Sequence, residues 1–503
     1  MLIWFVVLYL LVSIGIGLYA ATRVTTSRDY VLAGRSLPLY IVTATVFATW
    51  FGSETVLGIS ATFVQDGLKG IVSDPFGSSM CLILVGVFFA AKLYRMNLLT
   101  IADYYRQRYN RTVEVLASLC IVASYLGWVS AQITALGLVF SIITNGAISP
   151  GDGILIGAAI VLIYTLFGGM WSVALTDFFQ MTIIVVGMLY IGYVVSGLAG
   201  GVGVVVEHAA SAGKFEFWPK LETRDVLAFV AAWVTMMFGS IPQQDVFQRV
   251  MAAKNVQTAV TGSILGGSLY FVFAFIPLFL AYSATLIDPK MVTQLISSDP
   301  QHILPTLILN HTPILAQVMF FGALLSAIMS TASGTLLAPS VTFTENILKG
   351  IIGHQTDKQF LLTMRIVVVC FAVCVTLFAL NSKSSIYHMV ENAYKVTLVA
   401  AFIPLVCGLY WKRANTQGAL FAIGAGLSTW LLFEFFAADG MWPPQLAGLL
   451  ASATGMLAGS LLPHWVGRPT PLEPAHAYLH GHAAHPHEGA VHTHVPHLPS
   501  EER

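Results

Sequence analysis

Residues 45–58 read TVFATWFGSETVLG and sit inside an apolar run, 41–63, long enough to cross a bilayer as one helix. Yet Thr45, Thr49, Gly52, Ser53, Glu54 and Thr55 are crowded into it. A carboxylate at membrane depth costs at least about 2.5–3.5 kcal/mol on insertion scales. Gly beside Ser is a place where a helix unwinds and frees its carbonyls. A broken helix with polar groups at the midplane is how a transporter builds a site for an ion and a solute. The plainer alternative is a kinked helix whose Glu54 is paired inside a bundle.

Working outward, the 503 residues are 56% hydrophobic and 10% charged, against about 25% charged in a soluble domain. Apolar runs of bilayer length recur along the chain, so it reads as an all-α polytopic membrane protein. A β-barrel is excluded, because its strands alternate with short period. The net charge of zero gives nucleic acid nothing to bind. Cys81, Cys120, Cys370, Cys374 and Cys407 lie in apolar runs without CxxC spacing, so they read as small buried hydrophobes, neither disulfides nor a zinc site. The apolar start has no basic flank or cleavage site and reads as a retained span.

About thirteen spans are expected, at 2–21, 37–64, 75–96, 112–145, 153–167, 173–198, 226–250, 260–286, 313–336, 360–380, 386–411, 418–436 and 444–462. Fifteen Lys and Arg, Arg249 and Lys254 among them, fall on one side of this arrangement and six on the other. The richer side is expected to be cytoplasmic, with the N-terminus outside and the C-terminus inside, in the plasma or bacterial inner membrane. Spans two to six and seven to eleven form two groups of five, and an odd number of helices inverts the second group. Both groups should then open on a broken helix. Span seven carries FGSIPQQ at 238–244, with Pro242 removing a backbone bond mid-span. The expected organisation is a first helix and loop (1–36), two inverted repeats (37–200 and 201–415), two peripheral helices (416–462) and a disordered His-rich cytoplasmic tail (463–503).

A sodium ion wants oxygen ligands, from freed carbonyls and from hydroxyls on a facing helix. Span nine supplies the hydroxyls, with Ser326, Ser330, Thr331 and Ser333 inside LLSAIMSTASGTLLAPS, although small residues also simply pack membrane helices closely. Glu391 and Lys395, four apart, have the spacing of an internal ion pair. In the tail, eight histidines between His476 and His497 invite transition metals or protons without fixed tetrahedral spacing.

With these motifs in view, the chain resembles the sodium:solute symporters, relatives of the sodium–proline, sodium–glucose and high-affinity choline carriers. The marks are YTLFGGMWS at 164–172, LTDFFQ at 175–180, IPQQDVFQRVM at 241–251 and AIMSTAS at 327–333. The resemblance implies a five-plus-five inverted repeat with a LeuT-like core, working by alternating access. It places sodium on Ala48 and Phe51 of the first broken helix and on Ala327, Ser330 and Thr331. Some relatives hold a second sodium with the aspartate of the TD pair, here Asp177 with Ser330 and Ser333. Gly334 stands where they carry a further serine, which leaves Asp177 and Ser333 as either a second site or the inward exit path.

For the solute, Trp50 and Trp128 match the two tryptophans with which choline carriers cage a cation, each face contributing about 0.5–2 kcal/mol, though aromatic bulk is normal in bundles. The third aromatic of that cage is Gln243 here, which argues against choline itself. The sodium–proline carriers have an acid where Trp50 stands. Gln243 and Gln244 suit a carboxylate or amide, Glu54 suits an amine, and Thr55 lies beside it. The expected solute is an amino acid or small amine, with sodium and the bilayer as further partners and the oligomeric state left open. Two rivals remain: a transporter-fold sensor, which the lack of a signalling domain after the last span disfavours, and a proton-coupled symporter using Glu54 or Asp177. No nucleophile–base pair, Walker motif or metal-ligand motif points to an enzyme or an ATP-driven pump.

Overall fold

A backbone in hydrocarbon has to satisfy its own hydrogen bonds, and this one does so with helices. The computed structural model describes residues 2–353, 355–438 and 440–466. Among them every named element is helical, and the only extended pairing is the single bridge between Leu37 and Ala253. The expected His-rich tail lies outside the described residues, apart from its start.

The helices that build the site are, in chain order, α1 (Leu2–Ala21), α2 (Leu39–Trp50), α3 (Ile59–Asp66), α4 (Leu68–Arg95), α5 (Arg111–Ile143), α6 (Pro150–Leu198), α7 (Thr223–Gly239), α8 (Gln244–Met251), α9 (Val256–Ile287), α10 (Ile314–Ile352), α11 (Asp357–Asn381) and α12 (Ile386–Tyr410). Two more, α13 (Thr416–Phe436) and α14 (Pro444–Leu461), follow. Nine described helices are long and apolar enough to cross a membrane, and ten if the bent pair α7–α8 counts as one span.

Polar caps mark where helices enter water. Asn110, Ser149, Asn255 and Thr356 each accept a backbone N–H from the first turn of the helix that follows, offsetting donors the ladder leaves open. The outer faces are apolar: Leu8, Tyr193 and Phe435 stand well exposed, as lipid-facing side chains must. α10 runs through the middle against α5 and α6, and nearly every residue from 320 to 342 is buried.

The two expected interruptions are present. Between α2 and α3 the chain leaves helical geometry at Phe51 (φ −77°, ψ 76°) and re-enters through a π-helical turn at Glu54–Gly58. Between α7 and α8 the axis bends by 45° across 240–243, where Pro242 lacks a donor. The expected pair of spans at 153–167 and 173–198 is one helical element, α6, turned at Gly169 (φ 49°, ψ −136°). A side chain there would begin 2.4 Å from the Tyr30 carbonyl, so only glycine fits.

Two expectations are corrected. Arg249, counted with the cytoplasmic loop charges, is 1% exposed, because carboxylates on two helices draw it inward. Glu391 stands 3.5 Å from His388 Nδ1, which takes the place expected for Lys395.

Candidate functional site in the broken helix

The break at 51–53 is the organising feature. In a continuous helix the Gly52 N–H would bond the Ala48 carbonyl; instead it turns back to Trp50 at 2.8 Å. The Ser53 N–H likewise goes to Gln132 Oε1 of α5, at 3.0 Å. The Ala48 carbonyl is thereby released, and the hydroxyls of α10 meet it. Thr331 Oγ1 donates to it at 3.2 Å and Ser330 Oγ lies 3.4 Å away. Phe51 sits at the non-helical residue of the break, and Ala327 lies one turn before Thr331 on the same helix. Freed carbonyl and facing hydroxyls are the hard-oxygen set a sodium ion takes, so these residues fit it.

Below this point a charged network ties five helices. Asp177 of α6 accepts from Ser330 Oγ at 2.6 Å and Thr45 Oγ1 at 2.5 Å. The Arg249 guanidinium stands 3.6 Å from Asp177 Oδ2 and 3.9 Å from Asp245 Oδ2, while its Nε donates to the Thr45 carbonyl at 2.9 Å. Tyr125 donates its hydroxyl proton to Asp245. The guanidinium has room because residue 334 is glycine: a Cβ there would begin 2.1 Å from an Arg249 nitrogen. Ser333 turns its hydroxyl to the Ser330 carbonyl at 3.0 Å.

Above the break lies a second pair of buried acids. Glu54 Oε2 accepts from Gln132 Nε2 at 2.7 Å, and Glu54 Oε1 has no hydrogen-bond partner. Asp74 of α4 accepts from Ser78 and Tyr270. Tyr270 and Thr55 hydroxyls meet at 3.1 Å, and Thr55 donates to the Trp50 carbonyl at 2.8 Å, so Asp74 is linked to the break by a short polar chain.

Beside the carboxylates stand the aromatics. The rings of Trp50 and Trp128 stack with centroids 5.3 Å apart, and Tyr394 of α12 packs against them at 5.6 and 5.3 Å. The indole Nε1 of Trp50, the Ser53 hydroxyl and the Tyr394 hydroxyl are buried without a hydrogen-bond partner. Orphaned donors in low dielectric are costly, about 1–3 kcal/mol each, and are a common mark of a site that meets something polar.

The second break is tied down differently. Gln243 Nε2 donates to Ser124 at 3.0 Å and Thr397 at 3.2 Å, and Thr397 donates to the Gly239 carbonyl at 2.7 Å. Gln244 Oε1 accepts the Ile101 N–H at 2.8 Å, while its Nε2 is unpartnered. The structure therefore gathers Ala48, Phe51, Ser330, Thr331 and Asp177 in one place and Trp50, Glu54, Thr55 and Trp128 in another. Gln243 and Gln244 serve helix-to-helix contacts. Sequence reading passed over Gln132, Asp74, Tyr270 and Tyr394. The signal for Gln132 was a lone amide in the apolar run LGWVSAQITALG, and for Asp74 an acid at the mouth of a span.

Comparison with known proteins bears on the family and the fold. The sodium:solute symporter family profile matches residues 30–426. The human high affinity choline transporter 1 is 29% identical over 450 residues, covering 85% of this chain and 75% of that one. The osmoregulated proline transporter OpuE of Bacillus subtilis is 25% identical over 453 residues, covering 85% and 87%. Among solved structures, a Na+-coupled sialic acid symporter superposes with a TM-score of 0.78 at 19% identity, covering 92% of this chain and 98% of that one. Mhp1, a nucleobase-cation-symport-1 family transporter, gives 0.59 at 15% identity, covering 90% and 97%. At such identities the two structures speak for the fold.

Proposed function

Since the chain belongs to the sodium:solute symporter family, with a LeuT-like fold and sodium as the coupled ion, we propose that it carries an amino acid or small amine inward with sodium by alternating access. The observation that carries the solute class is Glu54, a buried carboxylate beside stacked tryptophans with one oxygen unpartnered. An ammonium group is the complement of such a site. Sodium sits on Ala48, Phe51, Ala327, Ser330 and Thr331; the solute meets Trp50, Glu54, Thr55 and Trp128, while Gln243 and Gln244, expected to face it, hold helices together instead. Asp177 and Ser333 line the inward exit rather than a second sodium site, since Arg249 already stands against Asp177.

The finer topology is part of the same proposal. Splitting α6 at Gly169, joining α2 to α3 and α7 to α8, and counting α14 yields the thirteen spans of a five-plus-five repeat (37–200 and 201–415) with flanking helices. The N-terminus is then outside and the C-terminus cytoplasmic, in the plasma or bacterial inner membrane.

The test is thermal stability of the purified protein against amino acids, amines, sugars and carboxylates, in sodium and again in potassium. A ligand at 100 times its dissociation constant stabilises by about 2.7 kcal/mol. An amino acid or amine that raises the melt only in sodium is the expected result. A sugar or carboxylate doing so would replace the solute class, and a hit indifferent to sodium would remove the coupling.

A further inference from the structure

Away from the break, α1, α6 and α10 leave a groove of about 450 Å³ between them. Phe5, Leu8 and Val12 of α1 and Val186 of α6 line it and are all well exposed, so it opens sideways out of the bundle. Gly322 of α10 forms part of its floor. A Cβ on that glycine would meet nothing closer than the Ile183 side chain at 3.9 Å, so the floor has room that no neighbour takes.

The chemistry of the groove is narrow. No Asp, Glu, Lys, Arg or His among the described residues lines it, and Tyr9 and Thr182 alone are polar. Both are engaged already: the Tyr9 and Ser326 hydroxyls meet at 2.8 Å, and Thr182 Oγ1 donates to the Phe178 carbonyl at 3.0 Å. A headgroup, an ion or a polar solute finds no charge to pair with. Water needs several polar partners to settle in a cavity and lacks them here. Left empty, the groove would forfeit dispersion contacts along three helices.

Its length separates the remaining occupants. α1 has 20 residues, about 30 Å of rise, which matches the hydrocarbon core of a bilayer. The groove follows α1 from Leu2 to Val12, about 15 Å, so it covers one leaflet and stops near the midplane. On α10 it likewise keeps to the first dozen residues, at 318–325. A helix from a second copy would cross both leaflets, whereas one lipid tail crosses one.

We infer that this groove binds a single acyl chain of a bilayer lipid, in the leaflet that holds the start of α1, and recognises the chain and not the headgroup. The bound chain wedges between α1 and α10 beside the Tyr9–Ser326 contact, one turn before Ser330. It thereby braces, from the lipid side, the helix that carries the hydroxyls of the ion position. The inference needs the helices to lie in a bilayer and is independent of the solute proposed above.

Photolabelling tests it. The full-length protein is reconstituted with a trace of phosphatidylcholine carrying a diazirine at the end of one acyl chain, irradiated, digested and mapped by mass spectrometry. Phosphatidylglycerol with the same chain is run in parallel. Label at 8–12 and 318–325 should exceed, several-fold and with both lipids, that on the exposed face of α11 at Ile366, Val369 and Val373. Gly322→Phe, whose ring fills the groove, should bring the groove down to the α11 level and leave α11 unchanged. Equal label on the two faces of the parent, label that follows one headgroup, or a Gly322→Phe protein labelled like the parent overturns the site. A groove protected from both lipids in a protein that cross-links as a dimer also overturns it, in favour of a second copy. If Gly322→Phe does not fold, Val186→Trp at the exposed mouth blocks the groove without touching its floor, and the same outcomes decide.

Discussion

The protein buries two pairs of acids on either side of the same helix break and treats them in opposite ways. Asp177 and Asp245 share Arg249, which is 1% exposed and donates to the Thr45 carbonyl as well. Glu54 and Asp74 have hydroxyls and an amide but no basic partner. In the first pair a fixed cation joins α2, α6 and α8, although Arg249 Nη2 and Asp245 Oδ2 are left without a hydrogen bond. In the second pair no basic side chain among the described residues stands within ion-pair distance. What separates the two pairs is the resident counter-charge, present in the first and, among the described residues, absent from the second.

The sharpest way to break this contrast is to remove the fixed cation. Arg249→Ala leaves two carboxylates without their partner, and truncating one member of a buried pair costs about 3–5 kcal/mol. The expected outcome is a large drop in melting temperature or loss of the monodisperse peak on size-exclusion chromatography. Glu54→Gln should by contrast leave the melt of the ligand-free protein near that of the parent, because it removes an unpaired charge and keeps the shape. Equal losses in the two variants would erase the distinction.

Gly334→Ser is a milder probe of the same clamp. Its Cβ has to displace the guanidinium from 2.1 Å, and overpacking of this kind costs about 1–3 kcal/mol. A melt lowered by an intermediate amount is expected, whereas an unchanged melt would mean that Arg249 is not held where glycine makes room. Smallest in stability is Thr331→Ala, which deletes one hydroxyl and little volume. Its melt should move by about 1 kcal/mol or less, while the sodium concentration for half-maximal uptake rises several-fold. Unaltered sodium dependence would remove Thr331 from the ion's shell.

Much of the frame was legible because it is local. Gly52, Ser53 and Glu54 inside an apolar run announce a broken helix and Pro242 announces the second, whereas α6 reads as two spans in the sequence and its turn at Gly169 is not foreseen. The hydroxyls of α10 were legible from their spacing. What failed was whatever depends on distant partners. Arg249 stands near the end of an apolar run, where arginine usually reaches water, and only the approach of Asp177 from α6 explains its burial. Gln132 and Asp74 acquire meaning only once α5 and α4 are brought against the break. Glu391 and Lys395 have the right helical spacing, yet His388 one turn earlier takes the carboxylate. Periodicity reports which way a side chain faces along its own helix, and it carries nothing about which charge waits opposite.

The stacked rings beside Glu54 have a spectroscopic consequence. Trp50 and Trp128, 5.3 Å apart and inclined by 21°, are close enough for their electronic transitions to mix, while Tyr394 stands edge-on at a similar distance. Stacked indoles couple through their strong far-ultraviolet transitions. A solute wedged against the pair would disturb that coupling. If the solute binds there as proposed, its arrival should alter the circular dichroism of this pair with no label attached.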